Sequence, residues 1–184
     1  MSEERSVALI GPMGAGKTSI GRRMAKRLGL PFRDTDALIV SAHGPIAEIF
    51  AECGEQTFRE LEREAVHTAL ERGGVVALGG GAILAEQTRE ELAHHLVIYL
   101  TVSDRTVASR IGGAKRPLLN RPDPVAEWRR IADERRPIYE ALAHQTYDTS
   151  SGPLRNVVEA AADWAAVELG IERTDQNENE DADD

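Results

Sequence analysis

The chain has one cysteine, Cys53, which excludes an internal disulfide and a cysteine-built metal cluster. It lies in AECGEQ without an obvious activating partner and reads as a small filler residue. The histidines, His43, His67, His94, His95 and His144, show no metal-ligand spacing, so a zinc centre is not expected. Long apolar runs are missing too. LVIYLTV from Leu96 is among the longest, about a third of the ~20 residues a membrane span needs. The start, MSEERSVALIG, has acids before its apolar run and no small-residue cleavage site. The chain therefore reads as cytoplasmic, with no membrane partner.

Basic charge is in deficit, with 22 Lys and Arg against 31 Asp and Glu and a net charge of −9. The deficit is uneven. From Glu172 to Asp184 there are seven acids and one arginine, a net of −6, which leaves −3 for the remainder. ERTDQNENEDADD lacks the apolar surface to fold, and residues 172–184 are expected to be a disordered, solvated tail. No nucleic-acid partner is expected, though the distribution of charge matters more than its total, and the remainder is only mildly acidic.

What is present is ordinary for a soluble domain: 184 residues, 41% hydrophobic and 29% charged. That predicts one domain over residues 1–171. Val- and Ile-rich runs alternate with longer amphipathic stretches, the pattern of a parallel sheet covered by helices. Five strands are predicted, in SVALIG, LPFRDTD, GVVALGG, HLVIYLT and QTYDTS. Ile20, Met24 and Leu28 recur at four-residue intervals on the first helix. Two helices are expected between Gly44 and Gly74, broken near Gly54, and a short surface helix over Glu86–His95. GGAKRPLLNRPDP, residues 112–124, is dense in Gly, Pro and Arg and reads as a mobile loop. A long helix follows, and a last one runs from about Pro153 to Leu169. The fold class is α/β, three-layered.

GPMGAGKTS, Gly11 to Ser19, fits the G-x-x-x-x-G-K-[ST] pattern between a strand and an amphipathic helix. Its residues, Gly11, Pro12, Met13, Gly14, Ala15, Gly16, Lys17, Thr18 and Ser19, predict a nucleotide-phosphate cradle. Backbone N–H groups and the helix N-terminus face phosphate oxygens. Lys17 reaches the β- and γ-phosphates, and the Thr18 hydroxyl ligates Mg²⁺. This loop alone implies ATP or GTP but not a reaction.

Asp34 and Asp36 are placed at the end of the second strand. Residues two apart in an extended chain share a face, roughly 7 Å apart. There, one carboxylate serves the metal and the other takes or orients a hydroxyl proton. The plain alternative is that Asp36 caps the next helix and Asp34 is a turn residue. Arg59 has Glu62 at i+3, near enough to pair. Arg135 and Arg136 precede Pro137, where a helix is expected to kink or end. ALGGGAIL raises a separate question, because Gly79, Gly80 and Gly81 stand where many nucleotide hydrolases have a magnesium-binding carboxylate. A close backbone approach is one explanation and a tight turn is the other.

Taken together, GPMGAGKTSIGRRMAKRLGLPFRDTD, IAEIFAECGEQTFRELE, LGGGAIL, RPLL and ERRPIY resemble the shikimate kinase family, in its order, over roughly residues 6–150. The resemblance implies a nucleoside monophosphate kinase-like fold with strand order 2-3-1-4-5, and a monomer. It implies phosphoryl transfer from ATP, with Mg²⁺, to the 3-hydroxyl of shikimate. Lys17 then stabilises the transferring group, Thr18 and Asp34 serve the metal, and Asp36 is the base at the hydroxyl. Arg59, oriented by Glu62, grips the substrate carboxylate with Arg135. Gly79, Gly80 and Gly81 form the acceptor floor, with Gly80 closest to substrate, while Ile49, Phe50 and Phe58 form its apolar wall. Substrate-binding helices fall at about 37–62. Arg116 closes a lid at about 112–124, and Arg110 lies beside the adenine. The sequence departs from the family in having only Pro45 between Gly44 and Ile46. TSSGPLR, from Thr149, has no usable match.

Two rival readings are open: another small-molecule kinase of this fold, acting on gluconate or a nucleotide, and a nucleotide-binding module without catalysis. The placement of F-R-x-x-E and R-P-L-L favours shikimate, and intact Lys17, Thr18, Asp34 and Asp36 disfavour a retired enzyme.

Overall fold

The computed structural model describes residues 5–111 and 123–171. Five short strands form one parallel sheet: β1 (Val7–Ile10), β2 (Phe32–Asp34), β3 (Val75–Ala77), β4 (Leu96–Thr101) and β5 (Gln145–Asp148). Their order is β2-β3-β1-β4-β5, and Val7 of central β1 lies opposite Val75 and Leu96. Seven α-helices are described, α1 (Lys17–Leu28), α2 (Thr35–His43), α3 (Ile46–Glu71), α4 (Glu86–Leu92), α5 (Asp104–Ile111), α6 (Pro124–Leu142) and α7 (Leu154–Leu169), with one 3-10 turn at Ala82–Leu84.

The alternation of side chains along β1 divides the core. Val7 and Leu9 pack with Ile20 and Met24 of α1 and Ala161 and Ala165 of α7. Ala8 and Ile10 face the other way, onto Val66 and Leu70 of α3 and Tyr139 of α6. A strand buried on both faces has to be apolar at every position, which is why VALI shows no polar alternation. The layers bring the phosphate loop, the end of β3 and one face of α6 to the same rim of the sheet.

Three local expectations shift. The second strand stops at Asp34, and Thr35 already begins α2, so Asp34 and Asp36 are not two residues of one extended strand. Asp34 is the cap, its carboxylate accepting from the Ala37 N–H at 3.1 Å, and Asp36 lies in the first turn. Next, α6 runs on through Pro137. An interior proline costs a helix about 3 kcal/mol; here Tyr139, Ile138 and Leu142 beyond it pack into the core and offset that cost. Third, α6 already begins at Pro124, with the Asp123 carboxylate accepting from the Ala126 N–H at 3.0 Å. The rest of the expected loop, residues 112–122 with Arg116, lies outside the described residues, as does the acidic tail.

The break expected near Gly54 is present. This residue has φ 81° and ψ 172° inside α3, a conformation that β-carbon-bearing residues rarely adopt. The bend lets Ile49 before it and Phe58 after it meet Ile39 of α2 in one apolar cluster.

On the outer face, His67 of α3 shares a hydrogen bond of 2.8 Å with Glu91 of α4. That bond, with the charge of Glu91, raises the imidazole pKa above its ordinary value. A raised histidine pKa stabilises the fold fully below the unfolded value of about 6.5, and the gain is lost as pH rises through the folded value. His67→Gln should therefore lower Tm at pH 5.5 and cost progressively less towards pH 8, by thermal denaturation across that range. The side chain is 57% exposed, so the effect is small.

Candidate active site

Between β1 and α1 the chain turns through the glycine-rich loop. Gly11 has φ 143°, and a β-carbon there would run into the Leu100 carbonyl, so only glycine fits. The loop's carbonyls are held by side chains, one of them its own lysine and three from beyond it. Lys17 Nζ donates to the carbonyls of Gly11 (2.7 Å) and Pro12 (2.9 Å). Trp128 Nε1 donates to Met13 O at 2.9 Å, Arg110 Nη1 to Gly14 O at 2.8 Å, and Thr149 Oγ1 to Ala15 O at 3.0 Å. Because N–H and C=O oppose each other across a peptide plane, tying the carbonyls fixes the direction of the N–H groups.

Thr18 Oγ1 donates to Asp34 Oδ2 at 2.6 Å. The strand end thus carries its carboxylate to the first turn of α1, which closes one corner of the site. Ser19, next along, is exposed.

Opposite the phosphate loop, α2, α3, the end of β3 and α6 bring charged side chains together. Arg59 Nη1 donates to Glu62 Oε2 at 2.6 Å, and Nη2 to Glu55 Oε1 at 3.2 Å. Burial pushes the Glu62 carboxyl above the ordinary range, against the pull of Arg59. Burial also lowers the Arg59 pKa, but its two carboxylate partners outweigh this and hold it above the ordinary value. The guanidinium lies 5.3 Å from the Phe58 ring centre, and that ring packs on Phe50 at 4.7 Å. Arg135 is buried on α6.

The three glycines sit among these groups, and their role is space. None has positive φ. A β-carbon at Gly79 would come within 2.7 Å of both an Asp36 and a Glu62 oxygen, and one at Gly81 would overlap the Arg59 guanidinium. At Gly80 it would meet Gly11 O at 3.5 Å and Met13 N at 3.7 Å, which are ordinary contacts. Both explanations left open by ALGGGAIL therefore meet here: the Ala82 N–H donates to the Gly79 carbonyl at 3.1 Å in a tight turn, and charged side chains pack closely on Gly79 and Gly81. The N–H of Gly79 is taken by Thr35 Oγ1 at 3.0 Å, and the Gly80 carbonyl accepts from the Tyr139 hydroxyl at 2.5 Å.

The structure therefore brings Lys17, Thr18, Asp34, Asp36, Arg59, Glu62, Gly79, Gly80, Gly81 and Arg135 to one rim. Arg110 lies at the outside of the phosphate loop, also donating to Thr149 O at 3.1 Å. Sequence reasoning missed Thr35, Trp128, Tyr139 and Thr149. The T of D-T-D was a usable signal for the first. Trp128 and Thr149 act across separations of 115 and 134 residues, which no local pattern reveals.

A phosphate loop facing a carboxylate and two arginines, on a five-stranded parallel sheet, defines a small-molecule kinase. A family model described as shikimate kinase matches residues 13–166. The shikimate kinase of Streptomyces coelicolor is 48% identical over 89% of this chain and 95% of its own. That of Thermobifida fusca is 48% identical over 92% and 97%. Among solved structures, the shikimate kinase of Acinetobacter baumannii in complex with shikimate superposes with a TM-score of 0.84 at 33% identity, covering 94% of this chain and 97% of that one. The chain belongs to the shikimate kinase family, and its activity is the ATP-dependent phosphorylation of shikimate.

Proposed function

We propose that phosphoryl transfer to the shikimate 3-hydroxyl is carried by Lys17, Asp36, Arg59 and Arg135, with Thr18 and Asp34 serving Mg²⁺. The observation that carries this reading is the abutment of donor and acceptor sides: Gly80 lies against Gly11 and Met13 of the phosphate loop, while Asp36 and Arg59 lie against its neighbours Gly79 and Gly81. Asp36 takes the hydroxyl proton as the oxygen attacks the γ-phosphorus. Arg59 and Arg135 hold the substrate carboxylate, since a planar guanidinium donates two parallel hydrogen bonds to it. Glu62 holds Arg59 in direction through the 2.6 Å ion pair. Lys17 supplies positive charge where negative charge spreads over the transferring oxygens.

The pairing of a hydroxyl with a carboxylate at Thr18 and Asp34 suits Mg²⁺, which takes few protein ligands and keeps water and phosphate oxygens. Among the described residues no cluster of three or more His, Cys, Asp or Glu offers a competing metal site. When bound, Mg²⁺ neutralises phosphate charge. Arg116 is assigned to the lid on resemblance alone, and Arg110 to the adenine side. We place the enzyme as a cytoplasmic monomer, one domain over residues 1–171, without nucleic-acid or membrane partners. No helix among the described residues is long and apolar enough to cross a membrane.

A coupled ADP-release assay tests the reading. Turnover should require both shikimate and Mg²⁺, stop with excess EDTA, and be near background with gluconate or nucleoside monophosphates at equal concentration. Faster turnover with gluconate, or none with shikimate, overturns it.

A further inference from the structure

Trp128 is one of two tryptophans in the chain and has no part in the assignments above. It sits one turn into α6, buried to 5% exposure, and packs with Val107, Ile131 and Ala132 while Met13 leans on the cluster. Its indole N–H is spent on the Met13 carbonyl. Arg135 lies seven residues on and Tyr139 eleven, so all three share one face of the helix. Tyr139 closes the same face onto Gly80. One rigid element therefore holds the phosphate loop at one end and the acceptor floor at the other.

Beside the indole is a cavity of about 270 Å³, bordered by Pro12, Tyr99, Thr101, Val102 and Arg136. The hydrogen bond to Met13 fixes the direction of the ring within its packed cluster. With the Met13 carbonyl held towards α6, the Gly14 N–H across the same peptide plane points the opposite way. Lys17 restrains the Gly11 and Pro12 carbonyls from within the loop, and Arg110 and Thr149 restrain those of Gly14 and Ala15 from other elements, which leaves Met13 to Trp128.

We infer that Trp128 is a positioning residue for the phosphoryl donor: through the Met13 carbonyl it sets the phosphate loop in register with the acceptor groups carried by the same helix. The inference rests on ATP being bound at this loop and adds a residue that the resemblance does not supply.

Trp128→Phe keeps an aromatic ring in the cluster and removes the donor. Steady-state kinetics should show KM for ATP rising roughly two- to tenfold, the range for one neutral hydrogen bond. KM for shikimate should stay within twofold and Tm within a few degrees. An unchanged KM for ATP overturns the inference, as does a rise in both KM values in step with lost thermal stability. The second measurement leaves Trp128 in place. In Trp164→Phe, where Trp128 is the sole tryptophan, saturating Mg-ADP should shift its fluorescence emission, and an unmoved spectrum counts against the inference. If the parent chain released no ADP with shikimate, the functional reading would fail instead, and the fluorescence response to Mg-ADP would still decide the role of Trp128.

Discussion

Asp36→Asn should lower kcat by ~10²–10⁴, the range for losing a positioned acid–base group, while KM for shikimate and ATP changes little. Asparagine is almost the same size and keeps a hydrogen-bonding oxygen, so the close fit against Gly79 survives. What it loses is the ability to take a proton. The position suits an anion, because Asp36 lies in the first turn of α2, where the helix end carries partial positive charge. Its neighbour Glu62 works in the other direction: the two carboxylates repel, and each contributes negative potential at the other. Arg59 offsets that repulsion from its 2.6 Å pair with Glu62. The arrangement places the Asp36 carboxylate beside Gly79, across from Glu62. Single-turnover measurement with Mg-ATP and shikimate separates chemistry from product release. A rate within threefold of the parent would remove Asp36 as the base.

The sequence was most informative where chemistry imposes local spacing. The phosphate loop, the i+3 pairing of Arg59 with Glu62, the break at Gly54 and the parallel α/β alternation all depend on residues near one another in the chain. Reading failed where the deciding contacts are distant. The end of β2 was misplaced by two residues because D-T-D is compatible with strand or helix start. The choice was made by Thr35, buried against the end of β3 with its hydroxyl on the Gly79 N–H. Pro137 signalled a kink or an end on local grounds; the helix does not end there, because burial of Tyr139 beyond it outweighs the lost backbone bond. Arg135 and Arg136 are indistinguishable as neighbours in sequence. In the fold one is buried near the acceptor and the other is exposed and paired with Asp133 at 2.5 Å. Helical phase separates them, and that phase is set by the whole of α6.

The glycine triplet provides the second large effect, and the positions should not behave alike. Gly81→Ala should raise KM for shikimate roughly 10–100-fold, the loss of charge-assisted hydrogen bonding from one displaced guanidinium. Backbone strain is not the reason, since Gly81 has φ −96° and ψ −6°, which alanine adopts readily. The three atoms nearest the added methyl all belong to the tip of Arg59, a long side chain, so the protein yields by moving the guanidinium. Folding stability should therefore change little while substrate binding suffers. Gly79→Ala presses instead on Asp36 and Glu62, and its loss should fall on kcat as well as KM. Gly80→Ala meets nothing nearer than 3.5 Å and should be the mildest of the three, even though it is the central residue. Isothermal titration with shikimate, alongside thermal denaturation, ranks them directly. If Gly81→Ala binds shikimate normally, Arg59 does not contact the carboxylate. If Gly80→Ala proves the most damaging, the floor is set by backbone contact with the substrate rather than by room for the side chains around it.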